Sequence, residues 1–132
     1  MLRALTILPA LALLAAAPLL AHSDSPAPLS EKAQKALAGR TAGKPVNCVQ
    51  LNRIGSSTIV DETAIIYKQS SSLWYVNQPD QGSCNLLRPR RTLMTRTSSS
   101  QLCGNDLVSV ADLSSGITYS ACGLGKFVPY RK

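Results

Sequence analysis

A single histidine, His22, stands at the end of an apolar leader, and this limits the chemistry open to the chain. Once the leader is removed, the folded part has no imidazole. Ser-His-Asp and Cys-His catalysis then lack their base, and the commonest metal ligand is missing. The other reactive candidates are Cys48, Cys84, Cys103 and Cys122. Their spacings of 36, 19 and 19 residues lack the close pairs that zinc sites and Cys-x-x-Cys redox motifs need. An even count in an exported chain predicts two disulfides instead, which leaves no thiol nucleophile. No metal and no cofactor is expected.

The carboxylates of the central and C-terminal parts are Asp61, Glu62, Asp80, Asp106 and Asp112. Asp61 and Glu62 are neighbours, so on a strand they face opposite ways. A paired-carboxylate glycosidase site would need Asp106 or Asp112 to meet one of them. Asp106 follows Gly104-Asn105, where a carboxylate more naturally bonds turn amides. A serine–lysine dyad on Lys68 or Lys126 has no marking motif. Gly123-Leu124-Gly125-Lys126 lacks the spacing and the following Ser or Thr of a phosphate loop, and reads as a tight turn beside Cys122. No catalytic residue is assigned, and the chain is expected not to be an enzyme.

Binding is the remaining class. The segment 88–96, Arg-Pro-Arg-Arg-Thr-Leu-Met-Thr-Arg, brings Arg88, Arg90, Arg91 and Arg96 close in sequence. It reads as a solvated edge whose charge blocks strand-to-strand aggregation. It reads also as an anion-binding patch for lipid headgroups, envelope polysaccharide or an acidic protein. No nucleic-acid motif is present, and nucleic acid is not an expected partner. A second feature is Ser115-Gly116-Ile117-Thr118-Tyr119. It resembles the Ser-Gly-x-x-Tyr loop of bacterial periplasmic lysozyme inhibitors, which are also small, exported, disulfide-bearing β-barrels. By that resemblance Ser115 and Tyr119 would be the pair that enters a lysozyme cleft. Without it, Ser115-Gly116 is a hairpin turn and Tyr119 a strand residue. The positive charge of the chain would repel the many lysozymes that are basic.

These groups need a scaffold. Residues 2–21 have one early charge, Arg3, an apolar run interrupted by Pro9 and Pro18, and a small Ala21 at the end. That is the layout of a secretory signal peptide, 1–21, and it is too short and broken for a transmembrane anchor. Cleavage removes only Arg3 among the charges, lowering the net charge from +7 to +6, and leaves about 111 of the 132 residues. This is enough for one domain. The segment 22–44 reads as a flexible leader holding a short helix over 30–39, with Ser30 as cap and Gly39 as terminator. The helix is too short to stand alone and must dock or fray. From residue 45 to 132 the pattern is β. Strands are predicted over 46–54, 59–60, 64–67, 73–76, 92–97, 107–110 and 117–121. Turns are predicted at 69–72, at Pro79-Asp80-Gln81-Gly82, at Gly104-Asn105 and over 114–116. Short strands about ten residues apart predict an all-β fold, a small antiparallel barrel or sandwich with two disulfides, preceded by the helix. Four cysteines allow three pairings. If the first and last β segments meet as the sheet closes, the pairing is nested, Cys48–Cys122 and Cys84–Cys103.

Five pieces carry a wider resemblance. They are Gly43-Lys44-Pro45-Val46-Asn47-Cys48, Trp74-Tyr75-Val76-Asn77, Gly82-Ser83-Cys84 with Leu87, Leu102-Cys103-Gly104-Asn105-Asp106, and Cys122-Gly123-Leu124-Gly125-Lys126-Phe127-Val128-Pro129. In order and spacing they resemble a family of small exported proteins from Gram-negative bacteria catalogued as a domain of unknown function. The resemblance implies one exported domain with cysteines at these places and brings no activity with it. The expectation is a periplasmic or secreted binding or envelope-accessory protein with no transmembrane segment after signal removal. The alternative is an inhibitor of a lysozyme-like hydrolase.

Overall fold

The structure is a computed structural model and describes residues 26–82 and 84–132; the expected signal segment 1–21, His22 and Ser83 lie outside the described residues. Among the described residues a helix α1 (Glu31–Ala36) precedes eleven short strands. These are β1 (Thr41–Ala42), β2 (Cys48–Gln50), β3 (Ser56–Asp61), β4 (Ala64–Lys68), β5 (Leu73–Asn77) and β6 (Gln81–Gly82). Then come β7 (Thr92–Thr95), β8 (Gln101–Cys103), β9 (Leu107–Asp112), β10 (Ile117–Gly123) and β11 (Phe127–Arg131). They form a five-stranded sheet in the order β1-β11-β5-β4-β3, a four-stranded sheet β6-β10-β9-β7 and a two-stranded pair β2-β8. All pairings are antiparallel, and the sheets do not close into a barrel. Among the described residues no helix is long and apolar enough to cross a membrane.

The five-stranded sheet is covered on both faces, and its central strand shows why. β4 reads Ala-Ile-Ile-Tyr-Lys, an unbroken apolar run of the kind that both-face burial produces. Ile65 and Tyr67 face one core with Ile59, Leu102, Val108, Val110, Leu124 and Phe127, so both larger sheets and the small pair contribute to it. Ala64 and Ile66 face a second core with Ala33, Leu37, Val60 and Val76. The helix therefore docks. Ser30 caps it by accepting from the Ala33 amide, and the same hydroxyl donates to the Asp61 carboxylate at the β3–β4 turn. After the helix, the Arg40 guanidinium lies 3.6 Å from the Trp74 ring centre and donates to the Ser71 carbonyl at 2.7 Å. Thr41–Ala42 then pairs with Arg131 and Tyr130. The part of the expected flexible leader from Ser30 onward is thus built into the β domain, and Thr41–Ala42 within it forms a strand.

Other expectations shift in detail. Strand pairing over 46–54 stops after Gln50, where Leu51–Arg53 forms a 3-10 turn. Gln81–Gly82, read as turn, is a short edge strand. The strands β8 and β11 are additions to the predicted set. In β11, Pro129 disguises a strand of the five-stranded sheet. Its carbonyl accepts from Gly43, so the side of Pro129 that lacks an N–H faces the short edge strand β1, where the loss is tolerated.

The nested disulfide pairing is corrected. The bonds are Cys48–Cys103 and Cys84–Cys122, and no cysteine is free. Cys48 and Cys103 face each other in the β2-β8 register, with Cα atoms 4.0 Å apart. Cys122 sits on β10 opposite Gly82, which brings Cys84 to it with a Cα separation of 5.1 Å. The closing strand of the chain is β11, which pairs with β1 and β5, so the ends that meet are not the ones that carry Cys48 and Cys122.

Candidate functional site

The arginine segment leads into an edge strand. β7 lies at the margin of the four-stranded sheet and, among the described residues, pairs only with β9, with Thr92 opposite Ala111 and Thr95 opposite Val108. Arg88, Arg90 and Arg91 sit on the turn that enters β7, and Arg96 lies past its other end. Five residues of extended chain separate Arg91 from Arg96 by about 16 Å. Three of the four expected anion-binding arginines therefore share one turn, Arg88 directed to Glu62 and Arg91 to Leu86 and Tyr119, and Arg96 lies apart. Arg90 adopts a left-handed backbone, φ 75°, and is exposed. Arg88 is exposed and lies 3.3 Å from the Glu62 carboxylate. Both side chains are more than half exposed, so this pair contributes little to stability. Arg91 is half-buried. It donates to the Leu86 carbonyl at 2.7 Å and lies over the Tyr119 ring at 4.0 Å.

The second expected feature is at the same end of the same sheet. β9 and β10 form a hairpin in which Asp112 pairs with Ile117 and Ala111 with Thr118. Asp112 organises the turn: its Oδ1 accepts from the Ser114 amide at 2.9 Å, the Ser114 hydroxyl at 2.5 Å and the Ser115 amide at 3.4 Å. Gly116 closes it with φ 70°, a conformation that glycine adopts without steric cost. The bonds from Ser114 and then Ser115, with the nearby Arg91 charge, hold the Asp112 carboxyl below the usual range despite a small opposing effect of burial. Ser115 is exposed at the tip. Tyr119 is not: it is half-buried, packs against the main core and carries Arg91 on its ring. The structure separates Ser115 and Tyr119 as a presenting pair. What the tip does present is Leu113, 75% exposed, with Ile117, 50% exposed, at its base. Sequence reasoning passes over both. The available signal is Asp112-x-Ser, an aspartate turn whose carboxylate bonds the backbone two residues on.

Four of the five pieces quoted for the resemblance meet elsewhere, through Asn47, Asn77, Gly104-Asn105 and Leu124 to Lys126. Asn47, Gln78, Asp80, Asn105 and Lys126, with Glu62 from the β3–β4 turn, line an open cleft of about 560 Å³ above Gly104 and Gly125. Its walls are knitted backbone to backbone. Gly104 donates to the Asn47 carbonyl, Asn105 to Leu124, and Leu124 to Asp106. Buried Asn77 clamps Gly125 with both ends of its amide, donating to the carbonyl at 2.7 Å and accepting from the N–H at 3.1 Å. A Cβ on Gly125 would lie 2.6 Å from the Gln78 carbonyl oxygen, which explains a glycine there. The Asp106 carboxylate accepts from the Cys103 amide at 2.7 Å, the turn role expected for it.

Most acidic groups named as catalytic candidates have structural partners. Asp61 accepts from Ser30, Thr63 and Ala64, Asp106 from Cys103, Asp112 from its own turn, and Glu62 faces Arg88. Burial tends to raise the pKa of Asp61, but the bonds from Ser30, Thr63 and Ala64 outweigh it and leave the carboxyl below its ordinary value. Among the described residues no cluster of His, Cys, Asp and Glu is arranged to hold a metal ion. At one end of the four-stranded sheet a basic turn and an apolar hairpin tip lie side by side. The chain matches no protein-family model, no curated protein and no solved structure.

Proposed function

We propose that this chain is an exported, non-catalytic binding protein of the bacterial cell envelope that docks on polyanionic surfaces through Arg88, Arg90 and Arg91. The observation that carries this reading is the grouping of the three arginines on one turn at an open end of the four-stranded sheet. Guanidinium groups suit phosphate and carboxylate, which they grip with two parallel hydrogen bonds. The net charge of +6 expected after signal removal, +7 less Arg3, adds long-range attraction to an anionic surface. Two disulfides fit the oxidising compartment in which such a protein would act.

The test is sedimentation with vesicles of phosphatidylcholine alone or mixed with phosphatidylglycerol, and retention on a dextran sulfate column. The protein should bind the anionic vesicles and the polyanion but not the neutral vesicles. Binding should weaken steeply as salt rises through physiological strength, where exposed charges are screened over about 8 Å. Changing Arg88, Arg90 and Arg91 to serine should abolish it, whereas Arg96→Ser should change it little. Equal binding by the triple variant would refute the assignment of the site.

A further inference from the structure

Leu107, Leu113, Ile117 and Val46 are the large apolar side chains most exposed among the described residues, and two of them share the β9–β10 turn. Leu107 is at the other end of β9, and Val46 lies just before β2. The turn is also firmly organised, with three hydrogen bonds to one Asp112 oxygen and a left-handed Gly116. A turn braced in this way holds Leu113 out in water instead of letting it fold back. The inner face of the sheet runs past the core at this end: Leu93, Val110 and Tyr119 pack inward, and the next rung carries Asp112 and Ile117. Arg91 reaches over Tyr119 there, and Arg90 and Arg88 lie on the adjoining turn.

We infer that the β9–β10 turn is a membrane-inserting tip, in which Leu113 and Ile117 enter the acyl boundary of an anionic bilayer while Arg88, Arg90 and Arg91 hold its headgroups. The inference rests on the polyanion reading above and narrows it to lipid. Two exposed aliphatic side chains on a hairpin tip suit a bilayer, which deforms around them. The apolar side chains are flanked by cations on one side, which is the arrangement that interfacial anchors use on anionic lipid. The Asp112 carboxylate stays ionised within its turn and works against insertion, and the nearby Arg91 charge offsets it in part. The braced turn loses little freedom on insertion, so little affinity is spent on ordering it.

The test uses the intact disulfide-bonded protein. Leu113→Trp should show blue-shifted emission with phosphatidylglycerol-containing vesicles, and phospholipids brominated on the acyl chains should quench it; the parent protein supplies the background from Trp74. A Leu113→Ser and Ile117→Ser double variant should lose about tenfold or more of its vesicle affinity, given the apolar area removed from lipid. It should keep its retention on dextran sulfate and its melting temperature, since both positions are exposed. A double variant that binds vesicles as well as the parent overturns insertion and leaves the arginine reading standing. So does Leu113→Trp emission that bromine does not quench beyond the Trp74 background. Failure of the parent on both vesicles and dextran sulfate overturns the arginine reading itself, and this one with it. Inhibition of a lysozyme by the parent that the double variant loses would make the tip a cleft-inserting loop and overturn the lipid assignment.

Discussion

At the scale of single residues, Asn77 shows how much one side chain can hold. It is fully buried at the end of β5 and stands in for a stretch of strand, pairing with both polar groups of the Gly125 backbone. Asn77→Ala would leave those two half-buried groups without their partner. Each such loss costs about 1–3 kcal/mol, so the variant should melt well below the parent in a thermal scan. Asp61 makes a different prediction, one of pH. Its folded pKa is lowered, so its contribution is present above the ordinary carboxylate value of about 3.9 and is lost as pH falls through the folded value. Urea melts of the parent should therefore show stability dropping at acid pH, and Asp61→Asn should be weaker near neutrality and flatter across that window. An identical acid slope in the variant would assign the pH dependence to other carboxylates.

At the scale of elements, the helix depends on one hydroxyl. Ser30 accepts from Ala33 to cap α1 and donates to Asp61 to fasten it over the second core. A helix of six residues has no stability of its own, so its order comes from this cap and from burial of Ala33 and Leu37. Ser30→Ala should cost about 1 kcal/mol. Hydrogen exchange should then speed up in α1 and at the β3–β4 turn, and little in β9 and β10. In the β9–β10 turn, Gly116→Ala meets no neighbouring atom but must hold a positive φ. It should lower stability by about 1 kcal/mol through backbone strain alone.

At the scale of the whole molecule, the two disulfides interleave, since Cys84 falls between Cys48 and Cys103 and Cys103 between Cys84 and Cys122. Together they tie the β2-β8 pair and the four-stranded sheet across most of the chain. A loop closed over a separation of 55 residues is worth about 4 kcal/mol by chain entropy. A domain of ordinary stability has only about 5–15 kcal/mol in all. Replacing Cys48 and Cys103 by serine should therefore remove a large part of the folding free energy, seen as a sharply lower denaturation midpoint. Peptide mapping without reduction should recover a Cys48–Cys103 peptide and a Cys84–Cys122 peptide. A Cys48–Cys122 peptide would restore the nested order.

Local chemistry is legible in the residues themselves. Ser30 and Gly39 bracket a helix, β4 announces burial by its apolar run, and Asp106 after Gly-Asn and Ser-Gly before Ile117 mark turns, because caps, turns and strand preference act within a few residues. Four cysteines suffice to predict two bonds. Their pairing is another matter, since it depends on which distant strands become neighbours: β2 chooses β8, and β10 brings Cys122 beside Cys84. β11 escapes notice because Pro129 is a poor strand residue by local preference, and only its place beside the short β1 lets it pair. The arginines also look like one group in sequence. The extended β7 carries Arg96 away from the other three, and the register of β7 on β9 sets that turn beside Leu113 and Ile117. Adjacency across a sheet comes from long-range hydrogen-bond register, which no short window of residues encodes.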